Sequence, residues 1–283
     1  MFKHLFRWTS IPISALIGVP MAMGATPAGA PDVHLFSTCS AIKASLPVAP
    51  DGDYLLYKGG NLFTAYCDNM ATEPREYIDL AKTGASGNFS QYTAGGASPG
   101  TNVRTSFTKL RIDPGSLTVD IGDLTFAAST GSLSHGGGVP VTSMPYSVAM
   151  SCVAPSNAAG IGNINLQNTP FQVNSKFAVG GSSATGSATV SSDDQLVDLR
   201  GGGFCGWITP APTLFNPFNP SPGMYDLPLG CATSPVASVP GQICLHVLDK
   251  KQFTEKASPG HGMTVLYEGH PVATVNNKDQ VRS

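Results

Sequence analysis

Between residues 52 and 200 the apolar side chains come in short runs of three to seven positions, and turn-forming residues close each run. Strands are predicted at 54–57, 62–67, 76–80, 106–112, 117–121, 124–127, 164–166, 171–173, 177–179 and 195–199, with Gly, Pro, Asn, Asp or Ser between them. Asp51-Gly52 turns into the first run, and Gly59-Gly60-Asn61 turns the chain back into the second, which predicts a hairpin. In that hairpin Tyr54 and Phe63 are expected to face inward, Tyr57 and Tyr66 outward. Ser37 or Thr38 caps one short helix over 39–45, and Pro47 and Pro50 end it. The fold class is therefore mainly β, built of short antiparallel strands with one short N-terminal helix.

The pattern changes at 209–223 (TPAPTLFNPFNPSPG), which has five Pro and no charge and reads as a semi-rigid linker. Beyond it a second hairpin signal lies at 263–275. The expected organisation is a signal peptide at 1–30, a β domain at 31–208, a linker at 209–223 and a small appendix at 224–283.

The first segment sets the compartment. Lys3, His4 and Arg7 precede an uncharged stretch at 11–23, and small residues follow at 24–30. That order is a secretory signal, too short in its apolar part for a membrane span of roughly 20 residues. The protein is thus expected to be secreted or extracellular, in the periplasm or at the surface of a bacterial host. Only 12% of residues are charged, and removing Lys3 and Arg7 leaves 14 basic against 18 acidic residues, a formal charge of −4. A weakly acidic surface argues against nucleic acid as a partner. No later stretch is long and apolar enough to span a membrane. All six Cys (Cys39, Cys67, Cys152, Cys205, Cys231 and Cys244) follow the signal, and an even count in an exported chain implies disulfides, with fifteen pairings open. Zinc sites built on C-x-x-C pairs are absent.

Several motifs resemble the GON domain, the C-terminal module of certain ADAMTS extracellular metalloproteases. In order they are CSAIK at 39–43, DGDYLLY at 51–57, YCDNM at 66–70, EYIDL at 76–80, FTKLRID at 107–113, LTFA at 124–127, INL at 164–166 with TPF at 169–171, and RGGGFCG at 200–206. The likeness spans about residues 39–208. The opening Cys-to-Cys unit is also similar, more locally, to the start of fibrinogen-type domains, which implies a Cys39–Cys67 bridge. Domain limits suggest Cys152–Cys205, and proximity in the tail suggests Cys231–Cys244. The family's closing segment is richer in Cys than 201–209, so its full disulfide set does not carry over. The resemblance implies a secreted, non-catalytic interaction or adhesion module whose partners are extracellular or surface proteins or glycans. The alternatives are a metalloendopeptidase-associated zinc activity carried by the family label alone, or a structural envelope protein.

No catalytic or cofactor-binding residues emerge. A zincin needs His at i and i+4 with a Glu between them, and none of His4, His34, His135, His246, His261 and His270 stand four apart. Zinc therefore enters only by family association. The acidic pairs Asp51/Asp53, Asp120/Asp123 and Asp193/Asp194 read as turns, since no full calcium-loop pattern follows them. The Gly runs at 136–138 and 201–203 lack the Lys-Ser/Thr of a phosphate loop and are expected to supply positive φ at strand ends. Asn88-Phe-Ser90 is a glycosylation sequon in a eukaryotic host. Phe215 and Phe218 in the linker are candidate partner contacts. N-terminal sequencing of the exported protein should begin at Ala25 or Thr26; an exported chain that retains Met1 would show that this segment is not a cleaved signal.

Overall fold

The computed structural model describes residues 35–136, 138–211, 226–232 and 243–246, together with the backbone of strands within 253–282. The expected export signal, most of the expected linker, and Phe215 and Phe218 lie outside these residues. The capping signal produces α1 (Cys39–Ser45): Thr38 keeps an extended backbone and its hydroxyl accepts the N–H of Ala41. A second orphan donor, the N–H of Cys39, is taken by Glu76 Oε1 at 2.7 Å. Strands β1 (Gly52–Lys58) and β2 (Asn61–Asp68) form the expected hairpin. Gly59 and Gly60 have φ of +62° and +85°, the primed turn that matches strand twist. A Cβ on Gly59 would also lie 2.6 Å from the carbonyl oxygen of Gly115.

The first sheet continues through β3 (Arg75–Asp79), β6 (Lys109–Asp113), β7 (Thr118–Asp120), β18 (Asp226–Cys231) and β13 (Phe171–Val173). β19 (Cys244–His246) pairs with residues 61–63 of β2, leaving residues 66–68 to β3. The second sheet has the order β14 (Phe177–Ser182), β17 (Cys205–Pro210), β11 (Ala149–Ser151), β4 (Phe89–Thr93), β12 (Gly160–Asn165), β16 (Leu196–Gly202) and β15 (Thr185–Val190). β5 (Val103–Phe107) joins it on β4, and β8 (Ala127–Thr130) on β5. Among these named strands every pairing is antiparallel except β11 with β4. β9 (Leu133–His135) and β10 (Val139–Val141) make a small hairpin. β20 (Phe253–Ser258), β21 (Gly262–Tyr267), β22 (His270–Asn276) and β23 (Gln280–Arg282) form a separate meander.

The run expected as one strand at 106–112 is two. It leaves the second sheet after Phe107 and enters the first at Lys109, with Thr108 between them. The apolar pattern survives because both sheets turn their inner faces to one core. Tyr54, Leu56, Phe63 and Ile78 meet Tyr92, Val103, Phe107 and Leu199 there. Strand 124–127 is displaced: residues 124–126 turn, with Ala127 N–H donating to Leu124 O, and the strand follows at Ala127–Thr130.

Two sequence features acquire different roles. Gly201 and Gly202 lie within β16 without positive φ; a Cβ on Gly201 would lie 2.3 Å from Ala149 O, and one on Gly202 2.2 Å from Asn157 O. These glycines permit close approach of layers, not the positive φ expected of the run; only Gly203 (φ +145°) supplies that. The sequon residue Asn88 is fully buried just before β4, with φ +52°. Its Nδ2 donates to Lys82 O and Asn165 O, each at 2.7 Å. Its Oδ1 accepts from the Tyr146 hydroxyl at 2.5 Å and from Asn165 N–H at 2.8 Å. The main chain adds two more links: Asn88 N–H donates to Asn163 Oδ1, and Phe107 N–H donates to Asn88 O. A glycan on this nitrogen is incompatible with the fold.

The bridges are Cys39–Cys67, Cys152–Cys205 and Cys231–Cys244. The first ties α1 to β2 and the second ties the end of β11 to β17. The third closes a 13-residue separation inside the tail. The tail's own strands cross the boundary expected at 208: β18 lies between β7 and β13, with Leu227 and Leu229 buried in the common core.

Asn88→Ala removes all four hydrogen bonds of its buried side chain, one of them to the fully buried Tyr146, and should lower stability by about 3 kcal/mol, while Tyr146→Phe should cost about 1–2 kcal/mol. Denaturant titration checks both, and a change under about 0.5 kcal/mol for Asn88→Ala contradicts its structural role. Separately, a chain cut proteolytically within 212–223 should keep its two fragments together in gel filtration, because strand pairing and buried Leu side chains join them. Denaturant without reductant should separate them, since no bridge spans the cut; fragments that part in native buffer would place the tail outside the fold.

Candidate functional site

The outward face of the first sheet carries an aromatic and charged cluster. Strand alternation sends Tyr54 and Phe63 into the core and leaves Tyr57 and Tyr66 half-buried on the other side. Tyr66 stands opposite Asp53 on β1 and Tyr77 on β3. Phe126, delivered by the turn at 124–126, meets Tyr77 edge-on at 4.8 Å and Tyr66 at 5.9 Å. Lys109 Nζ lies 4.2 Å from the centre of the Tyr66 ring and ion-pairs with Asp79. Burial, then the surrounding Asp51, Asp68, Asp53 and Asp79, push the Tyr66 hydroxyl above its ordinary range. Burial also raises the Asp53 carboxyl; Asp79 adds to this and Lys109 opposes it. The cluster therefore joins a partly buried ring to four carboxylates and one ammonium, all on strands or tight turns.

The acidic pairs have local structural roles. Asp51 Oδ1 accepts the N–H of Met70 at 2.7 Å, fastening the turn after β2. Asp120 and Asp123 flank Arg111 at 3.8 and 3.7 Å, and Asp123 also accepts the Tyr77 hydroxyl. Asp193 accepts from Ser191 and Gln195 N–H; these bonds hold its carboxyl below the usual range.

His135 lies at the end of β9, against Tyr92, and burial lowers its pKa. His246 meets Asn61 Oδ1 at 3.4 Å. His4, His34 and His261 fall outside the described residues, and of His270 only the backbone in β22 is described. His135 Nδ1 and the sulfurs of Cys152 and Cys205 lie within 4.8 Å of one another. With the two sulfurs joined to each other no thiolate is offered, so this set does not fit a zinc ion, and the spacing of the His residues does not fit a zincin. The sequence pattern alone does not reveal Lys109 or Phe126 as members of the Tyr66 cluster. The signal is present in FTKLRID and LTFA, but which residues share a face depends on the sheet switch at Thr108 and the turn at 124.

Comparison with known proteins bears on the whole arrangement. A protein called "A disintegrin and metalloproteinase with thrombospondin motifs 20" from Mus musculus is 27% identical over 203 residues, and its counterpart from Homo sapiens is 26% identical over 206. Each match covers 63% of this chain and 10% of the relative, so the chain spans about a tenth of the length of these proteins. No solved structure matches. The family model for the GON domain matches residues 36–98 and 97–215, which takes in α1, both main sheets up to β17 and the face around Tyr66. The chain belongs to the GON domain family.

Proposed function

We propose that the exported chain is a secreted, non-catalytic interaction module that holds a protein or glycan partner on the Tyr66 face. The observation that carries this is the partly buried Tyr66 ring among Asp51, Asp53, Asp68 and Asp79, with Lys109 over it. With Lys109 over the ring, the Tyr66 hydroxyl and ring edge beside fixed hydrogen-bond acceptors suit the hydroxyls of a neutral sugar, or a basic peptide segment. Four carboxylates disfavour sulfated or phosphorylated partners. Rigid strands supply the platform, so binding orders little of the protein. Extracellular location is supported by the signal pattern and the three bridges, and no described helix is long and apolar enough to cross a membrane. The relatives' names mention a metalloproteinase, but the zincin ligand pattern is missing from this sequence.

A glycan and protein array probed with the mature chain should return neutral glycans or basic protein segments and no sulfated glycans. Tyr66→Ala combined with Asp53→Asn should weaken the hits by about tenfold or more while circular dichroism shows the chain still folded. Undiminished binding by that double variant rules out the Tyr66 face as the binding site. Chelator-sensitive cleavage of a peptide library by the mature chain would replace the binding reading with an enzymatic one.

A further inference from the structure

The three disulfides sit in unlike surroundings. Cys39 and Cys67 are both fully buried in the core, and Cys231–Cys244 joins a half-buried to a buried residue. Cys152–Cys205 is asymmetric in a way that concerns chemistry. Cys152 is buried, and its sulfur lies 2.8 Å from the Tyr92 hydroxyl and 3.9 Å from His135 Nδ1. The same hydroxyl is 2.8 Å from His135 Nδ1 and hydrogen-bonds Ser98 Oγ. Cys205 is half-buried at the start of β17, directly after Phe204, which is 52% exposed. The buried sulfur of Cys152 thus faces a relay of two hydroxyls and an imidazole, while Cys205 is the partly exposed residue of the pair.

The fold fixes this relay. Tyr92 and Met150 are register partners in the parallel pair β4–β11, which brings Cys152, just past β11, beside the Tyr92 side chain. Ala97 N–H donates to Cys152 O, and the Gly95–Ser98 turn presses Ser98 onto the tyrosine. His135 arrives from β9 with its ring edge-on to Tyr92 at 5.9 Å.

Thiol–disulfide exchange depends on which sulfur is reachable and on how well the leaving sulfur is stabilised as a thiolate. We propose that Cys152–Cys205 is an exchange-active bridge, a covalent site for thiols, in which an incoming thiolate attacks Cys205 Sγ and Cys152 is the leaving sulfur. A new S–S bond forms between the thiol's sulfur and Cys205, the Cys152–Cys205 bond breaks, and its electron pair goes to Cys152 Sγ. Tyr92 O–H donates to that sulfur as charge develops, and the proton given up by the incoming thiol reaches Cys152 through solvent or His135. With a dithiol, its second thiolate then attacks the mixed disulfide. The dithiol leaves as a cyclic disulfide and both cysteines remain as thiols, a two-electron reduction of the bridge. This goes beyond binding on the Tyr66 face, because it gives the protein a covalent partner class.

The test uses the intact mature chain under native conditions with limiting dithiothreitol, or with glutathione to trap the mixed disulfide, followed by alkylation and peptide mapping. Cys152–Cys205 should open before Cys231–Cys244 and Cys39–Cys67, with glutathione on Cys205. Tyr92→Phe should slow this opening on the order of tenfold by removing the charge-assisted donor, leaving the opening of Cys231–Cys244 unchanged. His135→Gln should slow it as well, and it serves if the tyrosine variant fails to fold. Prior opening of another bridge, glutathione on Cys152, or wild-type rates in the foldable variants overturns the proposal. The mapping of the wild-type chain decides the first two without any variant.

Discussion

The side-chain amide of Asn88 is the interaction on which the second sheet depends. Four hydrogen bonds use both of its protons and two acceptor positions on its oxygen, and they reach the loop at Lys82, the buried Tyr146 and β12. Asn163, which accepts the N–H of Asn88, passes the network on by donating to Asp198 of β16. Burial pushes the Tyr146 hydroxyl far above its ordinary range, so it stays a neutral donor at any physiological pH. A buried polar network of this kind stabilises only when every member is satisfied. The αL backbone at Asn88 is tolerated because Asn is among the residues that adopt it most readily.

Parts of both candidate sites connect to this arrangement. β4 follows Asn88 directly and carries Tyr92 to the Cys152–Cys205 bridge. β5 accepts its register from β4, its last residue Phe107 bonds Asn88 O, and the chain then crosses to the first sheet and places Lys109 over Tyr66. The crossing at Thr108 makes the two sheets share a core as well as a strand run. The glycines of β16 let backbone layers meet where a methyl group would collide with Ala149 O or Asn157 O.

Much of this is legible in the sequence, and the parts that are not share a cause. The helix cap at Thr38, the Gly59-Gly60 hairpin, and the strands at 76–80 and 171–173 rest on local chemistry: a side-chain oxygen at N-cap, positive φ in a two-residue turn, apolar residues near a turn. β4 is invisible because FSQYT is half polar, and its Ser90 and Gln91 are nonetheless buried. Ser90 is satisfied there by accepting the N–H of Val148, a partner 58 residues away that no local pattern announces. β15 is hidden by its Gly and Ser and β17 by Gly206 beside Cys205; a Cβ on Gly186 would lie 2.5 Å from Arg200 O and one on Gly206 2.2 Å from Gly202 O. The Tyr66 face is legible as far as the hairpin's alternation; Lys109 and Phe126 reach it only through the sheet switch. The relay at Cys152 joins residues from β4, β9 and the end of β11, so the cysteine count could state a bridge but not its surroundings.

Native-state hydrogen exchange tests the central role of Asn88 most directly, because two backbone amides report on it alone. Asn165 N–H donates to Asn88 Oδ1, and Asn88 N–H donates to Asn163 Oδ1. If the network is the hub of the fold, both amides exchange only through global unfolding, with the same free energy as the slowest amides of β12 and β16. If they exchange through local opening while β12 and β16 stay protected, the sheet stands without Asn88 and the network is not its hub.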